Sequence, residues 1–146
     1  MEKSNIDEKI KLLTGNGMWH TQETEDLPSV HLSDGPHGLR KQEEKERQNN
    51  VSLVSTCYPT ASALACSWDV TAAERLGRAV AKEAWNADVA VLLGPGINMK
   101  RSPLCGRNFE YFSEDPFLAG RLGAAYVSAA QGEDVAVSLK HFAANN

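Results

Sequence analysis

The sequence is poor in the features that usually announce a function. It has only three cysteines, Cys57, Cys66 and Cys105. An odd number without metal-ligand spacing argues against a stapled secreted domain, and points to reduced, structural thiols in a cytosolic protein. No apolar run approaches the length that crosses a bilayer. No apolar leader follows the polar start Met1-Glu2-Lys3-Ser4-Asn5, so a cytoplasmic location is the expectation. Positive charge is not in excess either. Fifteen Lys and Arg stand against 19 Asp and Glu, a formal net charge of -4. That balance argues against nucleic acid or an anionic membrane as the main partner. His20, His31 and His37 share no ligand spacing with an acid or a Cys, so no metal is expected. The stretch LLGPG at 92–96 has neither the Walker Lys-Ser/Thr nor GxGxxG, and no cofactor is assigned. Trp19, Trp68 and Trp85 are read as packing residues rather than sugar platforms.

What the chain does have is a core and a repeating order. Its 146 residues are 42% apolar, enough for one domain. A first helix is expected over 4–14, with Ser4 and Asp7 at capping-box spacing and Ile6, Ile10 and Leu13 on one face. Strands are expected over 29–33 (SVHLS), 61–66 (ASALAC), 89–93 (VAVLL) and 135–139 (VAVSL). VAVLL is continuously apolar, as a strand buried on both faces should be. The segment 68–85 reads as a helix capped by Asp69, with Val70, Ala73, Gly77, Val80 and Ala84 as its stripe. Asp115-Pro116 opens another, with Leu118, Leu122, Ala125 and Ala129 buried and Gly132 at its end. The charged run 41–50 reads as a solvated loop or an exposed helical turn. Strands alternating with helices imply an α/β protein with a parallel sheet.

Five polar residues then fall in one kind of place. Asp34 and Arg40 follow the first strand, Arg107 lies in the long loop after VAVLL, and Lys140 and His141 end the last strand. All lie past the C-terminal ends of strands, where α/β folds build their sites. One carboxylate with four donors suits a polyhydroxylated ligand, because a carboxylate accepts from hydroxyls and the others donate to them. A phosphate would be gripped by the cations but repelled by Asp34. Each residue also has a plain reading: Asp34-Gly35-Pro36 as a turn, the arginines as solvated surface, His141 as a structural histidine.

Four motifs carry a resemblance that covers nearly the whole chain, in order. LSDGPHGLR at 32–40, YPTASALACSWD at 58–69, LLGPGINMKRSPLCGRNFEYFSEDP at 92–116 and KHFAANN at 140–146 together resemble the N-terminal signature of glycoside hydrolase family 3. The resemblance implies an α/β fold: the first, roughly half part of a (β/α)8 TIM-type barrel, with parallel strands and active-site loops at their C-terminal edge. It implies retaining hydrolysis of terminal β-linked sugars, with a β-glucoside or related oligosaccharide as ligand. It places Asp34, Arg40, Arg107, Lys140 and His141 against the non-reducing-end sugar, and gives Glu110 a supporting role. KHFAANN resembles the β-glucosidase branch rather than the KHFPGHG of the N-acetylglucosaminidase branch.

Two expectations follow. Neighbours on a regular strand point to opposite faces, so Lys140 and His141 can reach one ligand only if the backbone leaves β geometry there. A non-proline cis peptide is the form the resemblance points to. Secondly, a retaining glycosidase needs two carboxyl groups about 5–5.5 Å apart. The Ser-Asp-Trp that carries the family's nucleophile is absent; Ser67-Trp68-Asp69 is a different order. No catalytic residue is therefore assigned in this chain. Residues 1–146 are expected to be a partial barrel domain, inactive and poorly soluble alone, its open strand edges unpaired. A non-catalytic sugar-binding or degenerate module, or a phosphosugar-handling enzyme, are the alternatives.

Overall fold

A computed structural model describes residues 6–43 and 51–145. Its centre is a parallel sheet of three short strands in the order β3-β4-β5. β3 (Leu32–Ser33) pairs Leu32 with Val91 and Ser33 with Leu92 of β4 (Val91–Leu92). β4 in turn pairs with β5 (Ala136–Val137), Val91 with Ala136 and Leu92 with Val137. Backbone bonds carry the ladder further, from Ala90 N to His31 O at 3.0 Å and from Ser138 N to Leu92 O at 2.8 Å. All three strands therefore end at one edge, as the alternating pattern implies.

Two helices cover this sheet. α3 (Val70–Asn86) begins where Asp69 accepts from Thr71 N at 2.8 Å. α4 (Pro116–Gln131) begins where Asp115 accepts from Phe117 N and Leu118 N at 3.1 and 3.2 Å, with proline in its first turn. Ala73, Gly77, Val80 and Ala84 are buried on α3, and Leu122, Ala125 and Ala129 on α4, so the helical stripes match the core. Val80, Val89, Leu92, Ala130 and Val135 form one cluster between helices and sheet. The helices touch closely because Gly77 has no side chain. A Cβ there would lie 2.4 Å from the Tyr126 carbonyl oxygen.

Three sequence expectations are corrected. The segment 61–66 is a helix, α2 (Ala61–Cys66), and not a strand. Thr60 caps it by accepting from Ala63 N at 3.2 Å, and its Ala and Leu are helix formers with little β preference. The sheet thus has three strands where four were expected. The first helix, α1 (Ile6–Lys11), buries nothing, and Ile6, Ile10 and Leu13 are exposed because no described element packs on that face. Finally, an antiparallel hairpin of β1 (Gly15–Asn16) and β2 (His20–Thr21) lies between the first helix and β3, where no element was expected. The Ser4 cap and most of the charged run, 44–50, lie outside the described residues.

Candidate functional site

The loop after β3 is shaped by two glycines. Gly35 has φ +153° and Gly38 φ +135°, and a Cβ on either would meet a backbone carbonyl oxygen at 1.8 or 2.1 Å. Only glycine fits this tight return. The loop closes with Arg40 N on Asp34 O at 2.8 Å, which leaves the Asp34 carboxylate at the edge of the sheet.

There it meets a residue from the other side of the sheet. Lys140 Nζ lies 2.7 Å from Asp34 Oδ1 and 3.3 Å from Glu110 Oε2. Glu110, on a 3-10 turn (Asn108–Glu110), takes Arg107 Nε on its other oxygen at 2.5 Å. The chain of charges is therefore Asp34, Lys140, Glu110, Arg107. Glu110 is only 3% exposed, so its charge is sustained by two cations rather than by water. Burial works against the charge on Arg107, but the Glu110 hydrogen bond and Coulombic attraction outweigh it and raise its pKa above the ordinary value.

His141 enters the cluster next to Lys140. The peptide between them is cis, which is the departure from strand geometry expected there. Asn98 holds the backbone of His141 from both sides, accepting from its N at 2.6 Å and donating to its O at 3.0 Å. The His141 Nδ1 contacts the Tyr111 hydroxyl at 2.8 Å. Burial and the nearby Arg107 lower the imidazole pKa; Glu110 opposes this, Lys140 reinforces it, and Asp34 opposes it more weakly.

Four of the five expected residues are thus assembled: Asp34, Arg107, Lys140 and His141. Arg40 is not. Its backbone closes the loop, but its side chain is exposed and makes no hydrogen bond or ion pair among the described residues. Sequence reasoning passed over Asn98, Tyr111 and Asn145, and underrated Glu110. Nothing in their spacing marks them, because each acts through a contact that long loops create.

The assembled groups leave a definite set of unused bonds. Asp34 Oδ2 has no partner among the described residues, nor do the two Nη groups of Arg107 or Nε2 of His141. Lys140 has two acceptors for three N–H bonds. One acceptor and several donors are left open in this cluster. Lys140 and His141 also line an open pocket of about 700 Å³, with Asn98, Met99, Leu139 and Phe142 among its other walls. That is a size suited to a small ligand. Asp34 and Arg107 do not line it, so the charged cluster and the pocket adjoin at Lys140 and His141. No group of three or more His, Cys, Asp or Glu among the described residues is arranged to hold a metal.

Comparisons with known proteins give the chain its family. The family model for the glycosyl hydrolase family 3 N terminal domain matches residues 31–146. The thermostable beta-glucosidase B of Acetivibrio thermocellus is 50% identical over 100% of this chain and 20% of its own length. The exo-alpha-(1->6)-L-arabinopyranosidase of Bifidobacterium longum is 46% identical over 97% of this chain and 19% of its own length. Among solved structures, a beta-glucosidase of the same family from Bifidobacterium adolescentis superposes with a TM-score of 0.87 at 44% identity, over 99% of this chain and 20% of that one. Beta-glucosidase 3B from Thermotoga neapolitana, solved with alpha-D-glucose, gives 0.86 at 35% identity over 99% of this chain and 22% of that one. The chain thus spans about a fifth of the length of these relatives. By a motif series that runs nearly its whole length and a family match over residues 31–146, this chain belongs to glycosyl hydrolase family 3.

Proposed function

We propose that this chain forms the sugar-gripping wall of a β-glucosidase-like hydrolase that cleaves terminal β-linked sugars with retention. The observation that carries the reading is the converged set at the strand edge: Asp34, Lys140, Glu110 and Arg107 in one run of ion pairs, with His141 alongside. Asp34 accepts from sugar hydroxyls through Oδ2, while Arg107, Lys140 and His141 donate to others. Arg40 joins them only by a side-chain rotation that the exposed position permits. The three parallel strands form the first part of a (β/α)8 barrel, with these residues on its loop edge. Nucleophile and acid/base come from elsewhere than these 146 residues, which contain no Ser-Asp-Trp.

This division of labour makes chemical sense. Sugar contacts that tighten as the anomeric centre flattens raise the rate of the catalytic step, even when the attacking carboxylate belongs to another segment. The ligand class is a β-glucoside or related oligosaccharide. A relative 46% identical to this chain is named for an arabinopyranoside, which supports placing the choice among sugars in other loops.

Two measurements test the reading. The 146-residue chain should show no turnover of an aryl β-glucoside. Steady hydrolysis by a homogeneous sample would overturn the assignment of its catalytic groups to another segment. Glucose should bind the intact protein measurably and bind the Asp34→Ala form at least tenfold more weakly. Equal binding by both would remove the sugar-gripping role. Binding without turnover in the intact protein would favour the non-catalytic sugar-binding module instead.

A further inference from the structure

Tyr111 is fully buried, and its hydroxyl stands between two side chains. Its oxygen is 2.8 Å from His141 Nδ1 and accepts from Asn145 Nδ2 at 2.7 Å. The ring has room to stand there because residue 96 is glycine: a Cβ on Gly96 would lie 2.9 Å from a Tyr111 ring carbon.

With Nδ2 of Asn145 facing the phenol oxygen, the hydrogen count at this hydroxyl has one solution. An amide NH₂ only donates, so the phenol oxygen accepts from Asn145. The phenol's single hydrogen is then left for His141. A neutral imidazole has one N–H and one bare nitrogen, and the nitrogen that accepts from Tyr111 must be the bare one. The ring hydrogen therefore lies on Nε2. Were it on Nδ1, two donors would face one phenol oxygen and the phenol hydrogen would point at no acceptor.

We propose that Tyr111, oriented by Asn145, is a positioning residue that holds His141 in the Nε2–H tautomer, so that the ring offers a neutral N–H donor to a hydroxyl of the bound sugar. The tautomer stands on the geometry alone; its use against a sugar rests on the function proposed above. The ring is also held in place, since Asn98 bonds both the N–H and the carbonyl of His141. Its charge state fits as well. Burial and Arg107, with Lys140, outweigh Glu110 and Asp34 and keep the imidazole neutral at neutral pH. A neutral donor adds no further positive charge beside Lys140 and Arg107.

The test is nitrogen NMR on the intact protein labelled with ¹⁵N-histidine, at about pH 8, with the His141 signals assigned by their loss in His141→Gln. The expected result is a pyridine-type Nδ1 and a pyrrole-type Nε2. Tyr111→Phe should erase the preference, giving averaged shifts for both nitrogens. Asn145→Asp should reverse it. A carboxylate only accepts, so the phenol would turn its hydrogen to Asp and take the imidazole hydrogen from Nδ1. The Asn145→Asp form carries the test if Tyr111→Phe does not fold. A pyrrole-type Nδ1 in the unaltered protein would overturn the proposal, as would an unchanged tautomer in Asn145→Asp. The sugar-facing part has its own readout: reversal should weaken glucose binding about tenfold. Unweakened binding with a reversed tautomer would sink that part alone. An unaltered protein that binds no glucose would sink the proposed function and leave the tautomer standing.

Discussion

Lys140 Nζ sits 2.7 Å from Asp34 Oδ1, although 106 positions separate them along the chain. The contact joins the loop after β3 to the end of β5, across the whole width of the sheet. It leaves Asp34 Oδ2 without a partner among the described residues.

Replacing Asp34 by Asn tests that arrangement with little change of shape. The charge-assisted bond to Lys140 becomes a neutral one, and the acceptor offered to sugar hydroxyls is weakened. A hydrogen bond to a charged group is worth about 1.5–3 kcal/mol, so glucose affinity in the intact protein should fall roughly 10- to 100-fold. Calorimetric titration of the two forms side by side measures this, and equal affinities would be a failure of the prediction.

Glu110 stands between the two cations of the charge run, Arg107 and Lys140. Glu110→Gln removes the negative charge that faces Arg107 and Lys140, while preserving volume. Lys140 is well buried but Arg107 is only half-buried, so water compensates part of the loss. A stability loss of about 1–3 kcal/mol is expected. Denaturant melts compare the forms; a midpoint shift within error would mean the pairs are cosmetic.

Gly77→Ala should destabilise through crowding rather than backbone strain. The added methyl would sit 2.4 Å from a backbone oxygen of α4, and backbone cannot step aside as a side chain can. Alanine is the better helix former by up to about 1 kcal/mol, so propensity alone predicts a gain. Overpacking at about 1–3 kcal/mol should win. A more stable Gly77→Ala protein would show that α3 and α4 slide apart freely.

His141 gives the fold an acid-side dependence. Its folded pKa lies below the ordinary imidazole value, chiefly through burial and then Arg107. The unfolded chain therefore binds the proton first. The His141 contribution is present above about pH 6.5, the unfolded value, and is lost as pH falls from there through the folded value. His141→Gln should flatten the drop of the melting midpoint as pH falls below about 6.5. Parallel pH curves for the two proteins would contradict the shift.

The helices were the most legible part of the sequence. α3 and α4 each declare a cap and a stripe in local residue order, and α4 also its end at Gly132, and the structure follows these. The helix α2 was missed because ASALAC is six small or apolar residues without a period, and Thr60 as its cap was the overlooked signal. The β1–β2 hairpin was also signalled, by Asn16-Gly17, which was not read. Asp34, Arg107, Lys140 and His141, chosen for their places past strand ends, lie together in one cluster. Arg40 was chosen by the same rule, and its side chain is exposed with no hydrogen bond or ion pair among the described residues. Position along the chain says that a residue is near an edge; it does not say which way the side chain turns.

By itself, then, the sequence determined the alternation of strand and helix, the capped helical stripes and the motif series that names the family. These are properties of neighbours, set by propensity, periodicity and turn chemistry within a few residues. Only the tertiary structure decided that Glu110 lies between Arg107 and Lys140, that Asn98 clasps the His141 backbone, and that Tyr111 fits against Gly96 to reach the imidazole. Apart from Arg107 with Glu110, three residues away, such contacts join segments that are far apart in the chain. They exist because parallel pairing brings every strand end to one edge, where loops of unrelated sequence must satisfy one another's charges out of reach of water.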